Sequence, residues 1–98
     1  MTKNELELKT VTLAETENFL VWKADEPDGE TTYHLELNNV TLHFFAEEWV
    51  EFREYAAEFK TVSPDEDGFY ALEFYNVGVW LDADDWAELK SLMESLKA

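Results

Sequence analysis

The chain has 98 residues, in which 23 Asp and Glu against seven Lys and Arg give a formal net charge of −16 at pH 7. This length suits a single domain, 1–98, because two separate cores would leave each half too little apolar surface to offset its chain entropy. The charge opposes phosphate backbones and anionic lipid, so we expect neither direct nucleic-acid binding nor membrane binding. A hydrophobic content of 46 % excludes a disordered acidic tail.

The lack of cysteine excludes disulfides, thiolate nucleophiles and cysteine-ligated metals. The first eight residues lack the apolar segment of a secretory signal, and no stretch approaches the roughly 18 apolar residues of a membrane span. We therefore expect a soluble, cytoplasmic protein, and no motif predicts a cofactor.

Two strands are predicted in the N-terminal segment 1–32, over residues 5–13 and 19–24. The apolar alternation of the first strand changes phase along its length. Such a change indicates a β-bulge, which we place near Lys9 and Thr10.

The rest of the chain contains a repeat, in which residues 33–60 match residues 70–97 at an offset of 37. Nine of the 28 pairs are identical without a gap, and Trp49 aligns with Trp86. Matching of this kind at a fixed offset predicts an internal duplication.

Each copy is predicted to be a β-hairpin followed by a helix. Period-two alternation flanks Asn38 and Asn39 in the first copy, and Asn tolerates the positive φ of a two-residue turn. Apolar residues then recur at helical spacing, at Trp49, Phe52, Ala56 and Phe59 in the first copy and at Trp86, Leu89, Met93 and Leu96 in the second. Asp82 is a good N-cap for the second helix, whereas Phe45, at the equivalent position, has no side-chain acceptor.

The predicted order of elements is ββ-ββα-ββα. Consecutive hairpins favour an antiparallel sheet, and two amphipathic helices are enough to cover one of its faces. We therefore predict an α+β fold, a two-layer sandwich with both helices on one face of the sheet.

The only two histidines are predicted to face each other in the first hairpin. A turn at Asn38 and Asn39 places His34 opposite His43, with Glu36 nearby. Two imidazoles and a carboxylate can hold a divalent metal, and the same pair could act as a proton switch. The alternative is that both histidines are ordinary polar residues on a solvated sheet face.

No catalytic motif is present. The three serines lie in a predicted loop or helix, and the three glycines are scattered, so neither a nucleophile elbow nor a phosphate-binding loop is formed. We expect the protein not to be an enzyme.

Acidic residues concentrate in three places, one of which is the start of the second helix, with Asp82, Asp84, Asp85 and Glu88. The first helix carries them at spacings of four, three and four, and the following loop carries three in succession; these residues are Glu47, Glu51, Glu54, Glu58, Asp65, Glu66 and Asp67. Three explanations compete: helix-dipole stabilisation, adaptation to high salt, and recognition of a basic partner.

Trp80 alternates with Val79 and Leu81, so it is predicted to project from the sheet face opposite the helices. Tyr75 and Trp22 are candidates to join it. This face would then be open to a partner or to a second copy in a homodimer, unless the N-terminal strands fold over and bury Trp80.

These observations predict a small protein-interaction module that uses either its acidic helical surface or its open sheet face. One alternative is an inhibitor that mimics DNA and blocks a basic nucleic-acid-binding protein. The other is a small metal or ligand binder at His34, His43 and Glu36.

Overall fold

The computed structural model describes residues 9–38 and 40–96. Its elements are β1 (Lys9–Glu15), β2 (Leu20–Asp25), β3 (Thr31–Leu37), β4 (Val40–Phe45), α1 (Ala46–Ala56), a 3₁₀ turn (Phe59–Thr61), β5 (Tyr70–Phe74), β6 (Val77–Leu81) and α2 (Ala83–Glu94). This order confirms the predicted α+β class and the sequence ββ-ββα-ββα.

The antiparallel strands divide into two sheets. One contains β1, β2, β3 and β4 in chain order, and the other is the hairpin of β5 and β6. A side chain of α1 lies at the edge of β5, because the Glu73 N–H donates a 2.8 Å hydrogen bond to the Tyr55 hydroxyl. The Tyr55 side chain therefore occupies an edge N–H group of β5 that would otherwise be free to pair with a further strand.

The register of β1 against β2 shifts between Thr12 and Ala14. The bulge therefore lies at Leu13, and the prediction of a bulge near Lys9 and Thr10 was wrong. Leu13 packs partly buried against the core while Ala14 pairs with Val21, so the shift brings two apolar residues to the buried side. The part of the predicted strand before Lys9 lies outside the described residues.

Both units and both sheets contribute to one hydrophobic cluster. Its most buried side chains are Phe19, Val21, Leu35, Phe52, Phe59, Leu72, Trp86, Leu89 and Leu92. The predicted helical stripes are present, with two differences. Phe59 is buried from the 3₁₀ turn rather than from α1, and Leu92 is buried more deeply than Met93.

The two helices begin in different ways. The Asp82 carboxylate accepts a 2.8 Å hydrogen bond from the Asp85 N–H, as predicted for an N-cap. Phe45 has the same extended backbone, but its own N–H donates to the Glu48 carboxylate at 2.9 Å. Of the two hydrogen bonds of a capping box, the start of α1 therefore has only the one from the N-cap N–H to the side chain of the third helical residue.

Unit 1 (33–60) and unit 2 (70–96) have the same hairpin register and the same helix start at positions 37 residues apart, and they differ after the helix, where unit 1 continues into the 3₁₀ turn. Tyr33 pairs with Phe44, and Tyr70 pairs with Leu81. Tyr33 stacks on Trp49 with ring centroids 5.2 Å apart and planes at 4°, and Tyr70 stacks on Trp86 at 5.2 Å and 9°. The duplication of the sequence stays a prediction, but the positional equivalence of the units is a property of the structure.

Within the described ranges, neither helix is long and apolar enough to cross a membrane.

Candidate functional site

The predicted acidic stripe forms an exposed surface along α1 and the turn after it. We define this acidic face as Glu47, Val50, Glu51, Glu54 and Glu58, all of which are exposed to solvent. Val50 lies among the glutamates at helical spacing, and 57 % of its surface is accessible. The stripe therefore carries an exposed apolar side chain between carboxylates on the same helix surface.

Tyr75 extends the acidic face from the turn between β5 and β6. It has a positive φ of 54°, and its hydroxyl donates a hydrogen bond to the Glu51 carboxylate. This bond raises the pKa of Tyr75, and the charges on Glu47 and Glu48 raise it further. The ring is 66 % exposed, so an accessible aromatic side chain borders the carboxylates.

Tyr75 was a candidate to join Trp80 on the open sheet face, and its contact with Glu51 of α1 was not predicted. That contact joins unit 2 to unit 1, and only the packing of the hairpin against the helix brings the two residues together.

The equivalent face of α2 has a different composition. Ser91 and Ser95 occupy the positions of Glu54 and Glu58, 37 residues later. Glu88 occupies the position of Glu51, and its carboxylate accepts bonds from the Asn18 N–H at 2.6 Å and the Asn18 amide at 2.9 Å. The Thr16 hydroxyl also donates to Glu88. This carboxylate holds the loop between β1 and β2 against α2.

The pKa of Glu88 reflects these bonds. Partial burial pushes its pKa upward, but the hydrogen bonds from Thr16 and Asn18 together outweigh burial and hold it below its ordinary value. Glu88 is therefore charged in the folded protein and has a structural role.

The second predicted acidic cluster, Asp65 to Asp67, is also exposed. The Asp65 carboxylate accepts hydrogen bonds from the N–H groups of Asp67 and Phe69, both at 2.9 Å. Asp65 therefore shapes its own loop, whereas Glu66 and Asp67 present their carboxylates to solvent.

Trp80 is 57 % exposed, so the N-terminal strands, as far as they are described from Lys9 onward, do not bury it. Its ring lies over Gly78, where an added Cβ would come within 3.2 Å of the indole. Trp22 does not join it, because Trp22 belongs to the other sheet and stacks on His34. Trp80 is thus a separate exposed aromatic on the outer face of the second hairpin.

The predicted juxtaposition of the histidines is confirmed. His34 pairs with His43, and their rings meet edge to face with centroids 4.6 Å apart. His34 also stacks on Trp22 at 3.8 Å and is only 7 % exposed, so the alternative of two solvated histidines is wrong for His34. His43 is exposed.

Other side chains engage the polar groups around His34. Glu36 accepts a 2.9 Å hydrogen bond from the Trp22 indole, and the Thr32 hydroxyl lies 3.0 Å from His34 Nε2. Burial lowers the pKa of His34, and the neighbouring His43 lowers it further, against the opposing charges of Glu26 and Glu36. The folded protein therefore favours a neutral His34.

Across residues 9–38 and 40–96, no group of three or more His, Cys, Asp or Glu side chains is placed to hold a metal ion. The histidines lie together, but Glu36 is directed to the Trp22 indole. A metal site at His34, His43 and Glu36 stays a prediction from the sequence.

No protein-family model, curated protein or solved structure matches this chain.

Proposed function

We propose that this protein is a non-enzymatic interaction module that binds a basic partner protein through its acidic face. The observation that carries the proposal is the difference between two equivalent helix surfaces. Glu54 and Glu58 are exposed on unit 1, while unit 2 has Ser91 and Ser95 at the same positions. Within the helices, Ser91 stands in the same local fold as Glu54, which supports a role for Glu54 outside folding.

Helix electrostatics argue against a stabilising role for these two residues. Glu47 lies in the first turn of α1, where the helix dipole favours a negative charge. Glu54 lies in the last turn and Glu58 just beyond it, where the dipole disfavours one. Glu54 also lies one helical turn from Glu51, and like charges at such a spacing repel each other by about 0.2–0.5 kcal/mol.

The apolar groups of the acidic face support protein recognition over simple solvation. Protein interfaces combine a small apolar or aromatic centre with a polar rim, and complementary charge speeds the encounter of the partners. Val50 and Tyr75 provide the apolar contacts, and the glutamates provide the rim. General adaptation to high salt would not favour glutamate on α1 over serine on the equivalent face of α2.

Photo-crosslinking tests the proposal. A photoreactive phenylalanine analogue is placed at Val50 and, as the matched control, at the equivalent exposed position Ala87 on α2. We expect position 50 to crosslink one defined basic protein at 0.15 M salt, and Glu54→Ser with Glu58→Ser to remove the crosslink. Equal crosslinking from positions 50 and 87, or a crosslink that survives the double substitution, would contradict the proposal.

The partner found by crosslinking also distinguishes DNA mimicry from other binding of a basic protein. If the crosslinked partner binds nucleic acid, the protein should displace that nucleic acid in a competition assay, and displacement should fall as salt rises. A partner that keeps its nucleic acid while bound to the acidic face would exclude mimicry.

A further inference from the structure

We infer that a cleft between the C-terminal halves of α1 and α2 binds a small organic anion. The cleft has a volume of about 300 Å³. Both units line it with equivalent positions 37 residues apart, namely Arg53 with Lys90, Ala56 with Met93 and Phe59 with Leu96. The cleft is therefore built where the two units meet.

The charge of the cleft is opposite to that of the whole chain. Among the described residues, Arg53, Lys60 and Lys90 line it against a single carboxylate, that of Glu94. The chain has only seven Lys and Arg against 23 Asp and Glu, so three of its seven basic residues are gathered here. The negative end of α1 favours Arg53 and Lys60 nearby, but Lys90 lies within α2 and has no such explanation.

Arg53 is held in place at this cleft. Its guanidinium Nη2 donates a 3.1 Å hydrogen bond to the Leu96 carbonyl oxygen. A guanidinium has five N–H donors in a planar fork, so one bond of this kind orients the group while others stay available to an oxyanion. Fixing the group before binding reduces the entropy lost when a ligand is held.

The remaining walls of the cleft are apolar, which indicates that the part of the ligand away from its anionic group is apolar as well. Ala56, Phe59, Met93 and Leu96 surround the basic groups, and methionine adapts readily to ligands of different shape. A volume near 300 Å³ is at the lower end of the range for small-molecule sites. This combination fits a carboxylate or phosphate group on a short apolar body.

A titration followed by amide NMR tests the inference, using octanoate, octyl phosphate and octylammonium at 0.15 M salt. We expect octanoate or octyl phosphate to give saturable shifts in residues 53–60 and 90–96, while octylammonium gives none there. The anion that binds more tightly identifies the headgroup. Absence of saturable shifts with both anions, or equal shifts with octylammonium, would overturn the inference.

Two variants separate charge recognition from apolar binding. Lys60→Gln with Lys90→Gln removes both charges but keeps extended polar side chains, and it should weaken binding of the preferred anion by about tenfold or more. Lys9→Gln removes an exposed lysine on β1, outside the cleft, and should leave the dissociation constant unchanged. An unchanged dissociation constant in the double variant would reject the proposed role of the basic residues.

Discussion

Units 1 and 2 have the same hairpin register and the same stacking of a tyrosine on a tryptophan, yet their solvent-facing positions differ. Glu54 and Glu58 of unit 1 correspond to Ser91 and Ser95 of unit 2. A partly buried tyrosine stacks on a buried tryptophan in each unit and packs hairpin on helix, so the exposed positions are free to diverge. The comparison shows which residues the fold requires and which are available for binding.

A second difference concerns the outer face of each hairpin. The histidine pair of unit 1 corresponds to Ala71 and Trp80 in unit 2. In unit 1 the neighbouring strand β2 supplies Trp22, which covers His34. Trp80 is exposed because its hairpin stands as a separate sheet. Whether a sheet position is buried therefore depends on the neighbouring strand as well as on its own hairpin.

The largest loss of stability is expected when the buried side chain at the centre of either helix is truncated. Phe52 and Leu89 are equivalent and both fully buried. Phe52 also packs against Phe74 of unit 2, with the ring centroids 5.2 Å apart. Phe52→Ala should lower the free energy of unfolding by about 3–5 kcal/mol, and Leu89→Ala by about 2–5 kcal/mol. Urea denaturation measures both, and a smaller loss for Phe52→Ala than for Leu89→Ala would contradict its role in joining the units.

The next comparison concerns Glu88 and Glu51. Glu88→Ala removes the acceptor of three hydrogen bonds from the loop between β1 and β2. The free energy of unfolding should therefore fall by about 1–3 kcal/mol. Glu51→Ala removes only the exposed contact with Tyr75, and we expect little change in stability. Chemical denaturation of both variants checks this, and equal losses would show that the two carboxylates have the same structural role.

The helix starts give a smaller effect with opposite signs in the two units. Asp82→Ala removes the N-cap and should destabilise the protein by about 1 kcal/mol. Phe45 has nearly the same φ and ψ, so Phe45→Asn should install a cap and raise stability by about 0.5 kcal/mol. Thermal melts measure both changes. A destabilised Phe45→Asn variant would indicate that the exposed Phe45 ring has packing contacts that outweigh a cap.

The smallest expected effect is the pH dependence from His34. The pKa of His34 in the folded protein is below 6.5. As the pH falls through 6.5, the unfolded chain binds a proton on this histidine more readily than the folded chain does. The stability that the neutral His34 contributes is therefore complete above this pH and is lost as the pH falls. Wild type should therefore lose more stability than His34→Gln between pH 7 and pH 5. Glu88, whose pKa is lowered, is present in both proteins, so its own pH dependence cancels in the comparison. Parallel curves for the two proteins would contradict the assignment.

Local sequence features predicted the hairpins and helices well. The turn predicted from Asn38 and Asn39 led to the register that the strands have, with His34 opposite His43, because the turn of a hairpin determines which residues pair. The cap at Asp82 follows from its position before an amphipathic segment. These features depend on residues close together in the chain, which is why one sequence was enough.

Features that depend on distant contacts could not be predicted. The burial of His34 requires Trp22, and the structural role of Glu88 requires Asn18, 70 residues earlier in the chain. The sequence alignment paired Arg53 with Lys90, but the cleft between them exists only because α1 and α2 pack together. The candidate anion site was therefore missed, although the acidic face itself was predicted.

The central claim is that the acidic face serves binding rather than folding. The most direct measurement is the affinity of the partner crosslinked from position 50 for wild type and for Glu54→Ser with Glu58→Ser. We predict at least about tenfold weaker binding by the variant, with the free energy of unfolding unchanged or raised as like-charge repulsion is removed. Unchanged affinity, or weaker binding accompanied by a destabilised fold, would contradict the claim.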